Sequence, residues 1–398
     1  MARAGTIHTY IEKGRKGLWN CDARHAIRAI ARRILSKRMW ERLQLIRLLA
    51  RTARAHLFMP KYPGMPLLSV VMAAYNTQDY ISEALESLLH QQWRKVDIIV
   101  IDDGSTDGTA NVASQFLGKD VHLVCTEHRG PGAARNTGAA LARGKYIAFF
   151  DSDDIADPFF YRKAIFSLER THSNFAIGSY QILKHGKNQL PPWYIQQAHS
   201  RTQKHVRLAE IPLIMTNALM CTRVYRREFY EKKVAPQPEG VLFEDQLITM
   251  KAFVQADGFD ILHQSALQWR RRPTGDATTQ QAADVENLIQ RTQSYKDVAD
   301  YLFQVGELDM RIERLVQLLA TDQLTLSSLV VAPQAQEYFD VARDFLRWAK
   351  AEVENDKYIE RVGLRDRLLQ TLVLETDLET VKSYLLTRGV AKHTKHIF

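Results

Sequence analysis

The stretch IIVIDDGSTDGTA (98–110) runs four β-branched apolar residues into two adjacent aspartates and then into Gly, Ser and Thr. Unbroken apolar character over Ile98, Ile99, Val100 and Ile101 suits a parallel-sheet strand covered on both faces, because a surface strand would alternate. Asp102 and Asp103 then fall at its carboxyl end. In open α/β sheets ligands bind at that edge, which places the two acids to face one. The alternative makes Asp103, Gly104 and Ser105 turn formers ahead of a capped helix.

Outward from this stretch, strands and helices alternate. SVVMAAYN (69–76) reads as a strand, and Ile81, Ala84, Leu85, Leu88 and Leu89 share one helical face. VHLVC (121–125) is a third strand, and the helix through AARNTGAALAR ends with Gly144 as its C-cap. KYIAFFDSDD (145–154) is a fourth strand that again ends in acids, with Asp157 as N-cap and Pro158 as first position of the next helix. Such alternation implies right-handed crossovers and a mostly parallel sheet with flanking helices. KYPGMP (61–66) marks a boundary, and after about residue 280 the strand signals give way to long amphipathic stretches. The expected organisation is a basic helical segment (1–66), an α/β domain (67–279) and a helical C-terminal module (280–398).

With 45% hydrophobic and 25% charged residues, the 398-residue chain is globular. Cys21, Cys125 and Cys221 have no paired spacing, which argues against a disulfide framework and fits a reducing, cytoplasmic location. The polar start does not read as a secretory signal, and no apolar run is long enough to span a bilayer. Residues 1–66 carry a net charge of +12 within a total of +9, leaving the remainder near neutral. Ile27, Ile30, Ile34, Trp40, Leu43 and Ile46 lie at helical spacings among those arginines, so the segment is expected to meet an anionic membrane surface peripherally or to pack on the α/β domain. It lacks a zinc or recognition-helix signature, so nucleic acid is not the expected partner.

Asp102 with Asp103, and Asp151-Ser152-Asp153-Asp154, end two strands of one sheet. So much negative charge calls for a hard divalent cation such as Mg²⁺ or Mn²⁺, which takes carboxylate oxygens and bridges to phosphates. Glu244 and Asp245, in EGVLFEDQLITMKAF (239–253), form a third acidic point, or else simply favour a helix N-terminus. In TEHRGPGAARNTGAA (126–140), Arg135 stands where a dinucleotide fingerprint would have its third glycine, and Arg135 and Asn136 offer donors for a phosphate or a base.

Taken together, AAYN (73–76), DDGSTDGT (102–109), GPGAARNTG (130–138), FFDSDD (149–154) and FEDQ (243–246) resemble, in order and spacing, the family 2 inverting glycosyltransferases of the GT-A fold. The likeness covers about residues 67–275 and is nearest to relatives that build capsule or teichoic-acid-like polymers. It implies a sugar transferred from a nucleotide-diphosphate donor, most often UDP, to a saccharide or polyol-phosphate acceptor. On that likeness Ala74, Tyr75, Asn76, Asp102, Asp103, Arg135, Asn136 and Ser152 would line the donor site. Asp151 and Asp153 would form the DxD motif that holds the metal.

Asp245, beside Glu244, would be the general base. The segment TNALMCTRVYRREFY (216–230) resembles the acceptor side. LQWRRRPTGDATT (267–279) resembles the strand and loop that close over the diphosphate, with Arg270, Arg271 and Arg272 neutralising phosphate. Relatives often carry a histidine in that loop as a third metal ligand; His263 is the candidate substitute here. The C-terminal helices are expected to serve self-association or acceptor positioning rather than chemistry. The competing expectation is a catalytically idle homologue that works as a binding or scaffold protein.

Overall fold

The computed structural model describes residues 64–118, 120–321 and 326–388. The basic segment read in residues 1–60 lies outside them.

Four strands supply the parallel half of the sheet: β1 (Leu68–Ala74), β2 (Val96–Asp102), β3 (Val121–Cys125) and β4 (Tyr146–Asp151). All of β2 is buried, and all of β1 except Ala73, as two-sided coverage by helices requires. Helix α1 (Ile81–Leu89) covers the sheet with Ile81, Ala84, Leu85 and Leu88, while Leu89, expected on that face, is exposed. Helix α2 (Thr109–Ser114) follows β2. Helix α3 (Pro131–Leu141) packs so closely that a Cβ on Gly138 would lie 2.3 Å from the Val71 side chain.

The order β3-β2-β1-β4 means the chain leaves β1 in one direction and returns on its other side at β4. Ala74 lies opposite Asp102 on β2, and Ala73 opposite Asp151 on β4. Two acid-ended strands thus flank the end of β1, about 10 Å apart at ordinary strand spacing. This is a topological switch point, where open α/β sheets bind ligands.

Beyond β4 the sheet turns mixed. The short β5 (Ile155–Ala156), helix α4 (Phe160–Thr171), β6 (Phe175–Lys184), β7 (Lys187–Gln189), helix α5 (Trp193–Ala198), β8 (Gln203–Val206) and β9 (Arg223–Arg226) lead to helix α6 (Glu244–Gln255) and the long β10 (Phe259–Arg270). β9 runs antiparallel between β4 and β6, β10 parallel to β6, and β5 antiparallel to β10. β10 therefore delivers Arg270 beside the turn that follows β4.

Two local expectations shift. Gly144 does not cap α3, which ends at Leu141 with Ala142 in extended backbone. Gly144 is instead needed because a Cβ there would sit 2.6 Å from the Ser69 amide nitrogen and the Tyr146 carbonyl oxygen. Helix α4 starts two residues later than expected, with the Asp157 carboxylate accepting from the Phe159 amide at 2.9 Å.

Helices α7 (Val285–Gln304), α8 (Leu308–Thr321), α9 (Ala335–Ala351), α10 (Asn355–Arg361), α11 (Leu364–Glu375) and α12 (Leu378–Thr387) form the C-terminal region. Their apolar stripes close on one another around Leu288, Leu315, Tyr338, Phe339 and Val373. Packing within the chain thus accounts for much of the apolar surface on which self-association was expected. Val298 and Leu302 of α7 instead join the core beneath the sheet. No described helix is long and apolar enough to cross a membrane.

The loop before α6 approaches α3 so closely that a Cβ on Gly132 would lie 1.9 Å from the Pro238 carbonyl oxygen. Gly132→Ala is therefore expected to push the loop away and to destabilise the fold by about 1–3 kcal/mol, the usual range for overpacking. Urea unfolding measures it; wild-type stability would show that the loop yields without cost.

Candidate active site

At the end of β1, Tyr75 stands 41% exposed and stacks on His128, with ring centroids 4.0 Å apart and planes 20° from parallel. Asp103 builds the loop that carries His128: its carboxylate accepts the amides of Arg129 at 3.0 Å and Gly130 at 2.8 Å, and the His128 ring lies 2.9 Å away. Asn76 adopts a left-handed φ of 50° and its side-chain oxygen accepts the Thr106 amide at 2.9 Å, holding the GSTDGT turn. The turn-forming reading of Asp103 and the ligand-facing reading of Asp102 divide between the two residues. Asp102 is 4% exposed, and one of its carboxylate oxygens is buried without a hydrogen-bond partner among the described residues. An orphaned acceptor beside a stacked aromatic pair can take the N–H of a planar ring, because leaving it unpaired costs about 1–3 kcal/mol.

At the end of β4 the acids are held by arginines. Arg135, buried in α3, donates to Asp151 at 2.8 Å and to Glu244 at the start of α6. Burial opposes its charge, but Asp151 and Glu244 outweigh that and keep it protonated. Asp153 accepts from Arg272 Nε at 2.7 Å, and Asp154 from the Arg270 amide at 2.8 Å. Arg270 Nε donates to the Asp153 carbonyl at 2.6 Å while its Nη2 reaches Glu83 at 2.5 Å. Both guanidinium groups lie over the Tyr80 ring, 5.3 and 5.4 Å from its centroid. Ser152 accepts from the Thr77 hydroxyl at 3.0 Å.

Burial lifts the Asp153 carboxyl above the ordinary range, with Arg272 opposing and Asp151 adding to the rise. Burial followed by repulsion from Asp153 and Asp151 raises Asp154 strongly. Crowded hard oxygens of this kind match the donor chemistry of Mg²⁺ or Mn²⁺. Among the described residues no set of three His, Cys, Asp or Glu side chains is gathered to hold a metal. The residues therefore fit a cation that takes one or two carboxylates and completes its shell from phosphate and water.

Asp245 occupies the first turn of α6. Burial first, then Glu244 and Asp151, push its carboxyl up to about 7, against the pull of Arg135 and Arg223. Phe243, just before it, holds a left-handed φ of 62°, an uncommon backbone state for a bulky residue. Fully buried Arg223 donates to the carbonyls of Asn217 and Leu219, ordering the segment read as the acceptor side.

The geometry gathers Tyr75, Asp102, Arg135, Asp151, Ser152, Asp153, Glu244, Asp245, Arg270 and Arg272, but three expected residues point elsewhere. Asn136 spends its amide on the loop before α6, donating to Gln237 O at 3.0 Å and Glu239 at 2.9 Å. Arg271 turns away from Asp153 and Asp154, which Arg270 and Arg272 hold, and lies over Trp269 at 5.3 Å on the side of Asp245, because alternate strand residues face opposite sides. His263 sits in the first half of β10, about 20 Å of strand from Arg270, with its ring on the His199 carbonyl at 2.7 Å. It is not placed to join Asp151 and Asp153.

His128, in TEHRG, carries no local sequence signal, because its stacking partner Tyr75 lies 53 residues earlier. Tyr80 and Glu83 carry no local signal either, because their partners Arg270 and Arg272 lie 187 or more residues further along the chain.

Residues 69–233 match the family model "Glycosyl transferase family 2". An uncharacterized glycosyltransferase of Haemophilus influenzae is 40% identical over 121 residues, 28% of this chain and 48% of that protein. The poly(ribitol-phosphate) beta-N-acetylglucosaminyltransferase TarS of Staphylococcus aureus is 30% identical over 220 residues, 53% of this chain and 37% of its own length. The chain thus spans half or less of either relative. The crystal structure of S. aureus TarS 1-349 in complex with UDP-GlcNAc superposes with a TM-score of 0.62 at 21% identity, over 81% of this chain and 92% of that one, showing the same fold. The region 69–233, with its strand ends converging on DDGSTDGT and FFDSDD, belongs to the family 2 glycosyltransferases and has their GT-A fold.

Proposed function

We propose that this chain is a metal-dependent inverting glycosyltransferase that moves a sugar from a nucleotide-diphosphate donor of the UDP class to a hydroxyl of a saccharide or polyol-phosphate acceptor in cell-surface polysaccharide synthesis. The observation that carries the reading is Arg135, which ties Asp151 of the DSD turn to Glu244 beside Asp245. One buried cation thereby joins a donor-side acid to the helix bearing a base. Two further observations support the substrate class: structures of TarS hold UDP and UDP-GlcNAc, and its name records transfer to poly(ribitol phosphate).

In this mechanism the Tyr75–His128 stack offers one outer ring face to the nucleobase and the unpaired Asp102 oxygen accepts one of its N–H groups. Asp153 and Asp151 would hold the cation, which when bound neutralises charge on the departing diphosphate. Arg270 and Arg272 add positive charge on the same side. Asp245 takes the proton of the acceptor hydroxyl as that oxygen attacks the anomeric carbon and the bond to diphosphate breaks. One displacement inverts the configuration. A base poised near pH 7 balances proton affinity against the fraction ionised.

Transfer should therefore rise with pH through about 7, where Asp245 ionises, and level off above it. Asp245→Asn should keep nucleotide binding, lower transfer by about 10² to 10⁴ and remove the acid limb of the profile. Near-normal transfer by the folded variant would take Asp245 out of the mechanism. Asp153→Ala should weaken Mn²⁺-dependent UDP binding in calorimetry by at least about tenfold, since each 1.4 kcal/mol is worth that factor. Equal affinity with and without Mn²⁺ in both proteins would end the metal assignment.

The +12 segment at residues 1–66 supports a cytoplasmic enzyme held peripherally at an anionic membrane face, polybasic attraction being worth about 1 kcal/mol per residue there. Flotation with phosphatidylserine vesicles should carry the full chain and not a chain starting at Lys61. Equal flotation would refute the attachment.

A further inference from the structure

A cavity of 600 Å³ opens between α4 and the outer edge of β10. It takes in residues 262–264, in the interval between the pairing of β10 with β8, which ends at Ile261, and with β5, which begins at Leu267. Ile177 of β6 belongs to the same core as Ile248 and Phe253 of α6, whereas a Cβ on the next residue, Gly178, would lie 2.5 Å from the Phe160 ring of α4. Successive strand residues face opposite sides, so α4 covers the face away from α6 and Asp245. A ligand of this cavity is therefore not the acceptor whose hydroxyl meets Asp245.

The charge of the cavity is one-sided. Arg162, Lys163, Arg170 and Lys204 line it, and none of its described lining residues is acidic. Residues 170–209, from the end of α4 through β8, hold six Lys or Arg and no Asp or Glu, although the chain beyond residue 66 is near neutral overall. Arg162 donates to the neutral Gln92 at 3.2 Å and lies over the Phe166 ring, 5.6 Å from its centroid. Lys163 donates to Gln264, and nearby Asp157 offsets part of its charge. Arg170 and Lys204 are exposed and have no hydrogen-bond or ion-pair partner among the described residues. Asp260, below Ser167, is fully buried and already accepts the hydroxyls of Ser167 at 2.5 Å and Ser173 at 2.8 Å. Phe159 and Leu262 add apolar surface to the lining.

We propose that this cavity takes the phosphate headgroup of an anionic membrane lipid, with Arg162, Arg170 and Lys204 around the phosphate and Phe159 and Leu262 against the adjoining hydrocarbon. Phosphate oxygens accept charge-assisted hydrogen bonds from such cations, and basic pockets are a recurrent means of taking up lipid headgroups. Apolar lining beside the cations favours a ligand that carries its phosphate next to hydrocarbon over a hydroxyl-rich polymer. The +12 segment at residues 1–66 calls for the same kind of surface. The proposal deepens the peripheral-membrane reading, rests on it only for the source of the lipid, and adds a contact made by the α/β domain itself.

The test is calorimetry on the full chain with dihexanoyl phosphatidylglycerol kept below its micelle concentration, so that a single lipid rather than a charged surface is the probe. Saturable binding at one site is expected, at least about tenfold tighter than that of dihexanoyl phosphatidylcholine or of glycerol phosphate. Arg170→Gln on α4 and Lys204→Gln on β8 should each weaken it by about tenfold, the worth of one charge-assisted contact. Arg365→Gln removes the same charge from exposed α11 and should change nothing. No saturable binding, equal affinity for phosphatidylcholine, wild-type affinity in both pocket variants, or an equal loss in Arg365→Gln would each overturn the proposal. Glycerol phosphate binding as tightly as the lipid, or polygalacturonate binding where the lipid does not, would give the cavity to soluble phosphate or to anionic polymer and equally overturn it. If the chain takes up monomeric lipid with the expected pattern yet fails to float with phosphatidylserine vesicles, the pocket stands and the attachment through residues 1–66 falls. Flotation without monomer binding keeps the attachment and removes the pocket.

Discussion

A buried guanidinium cannot shed its charge, so wherever Arg135 goes it must take carboxylates with it. The chain supplies Asp151 from the end of β4 and Glu244 from the first turn of α6. Breaking such a buried pair by removing one member typically costs about 3–5 kcal/mol, because an uncompensated charge is left behind. The consecutive α3 and β4 are therefore held to a helix that starts 109 residues after Arg135, at the point where the chemistry is proposed to occur. Cys221 belongs to the same cluster: burial, followed by the nearby Asp151 carboxylate, raises its thiol well above the ordinary range, so it serves packing rather than nucleophilic chemistry.

The second organising constraint is the two-residue period of β10. Continued through the residues beyond its end, that period turns Arg270 and Arg272 onto Tyr80 and the acids, and Trp269 and Arg271 into the cavity that Asp245 lines. Arg272 is kept in register by Gln280, whose side chain accepts the Arg272 amide at 2.8 Å and donates to its carbonyl at 3.0 Å. A single strand end thus lines two separate surfaces.

How far the sequence foretold this follows from the range of the interactions involved. The parallel strands were legible because continuous apolar runs ending in acids leave few alternatives, and the switch point follows from their order. Asp102, Asp151 and Asp153 came with them. Residues whose role depends on a partner 50 or more positions away were not legible: Tyr75 with His128, Gly144 against Ser69, and Asn136 against Gln237. Arg271 was grouped with its neighbours because three consecutive arginines look alike until strand direction divides them. His263 was drawn toward the metal by chemistry alone, whereas its position along β10 sets it apart.

The hardest feature to foresee is the dependence of the proposed base on the C-terminal helices. Phe243 holds a left-handed backbone state that costs an ordinary residue about 1–2 kcal/mol, and something must hold it there. Helix α7 does so on two counts: Gln290 accepts the Leu242 amide at 2.8 Å, and Arg291 covers the Phe243 ring. Arg314 of α8 adds a bond to Gln246 at 2.9 Å, one residue beyond Asp245. Helices expected to stand apart from the chemistry therefore set the angle at which FEDQ enters α6. With Val298 and Leu302 of α7 embedded in the core beneath the sheet, a division of the chain near residue 279 would cut through the packing that orients Asp245 rather than between independent parts.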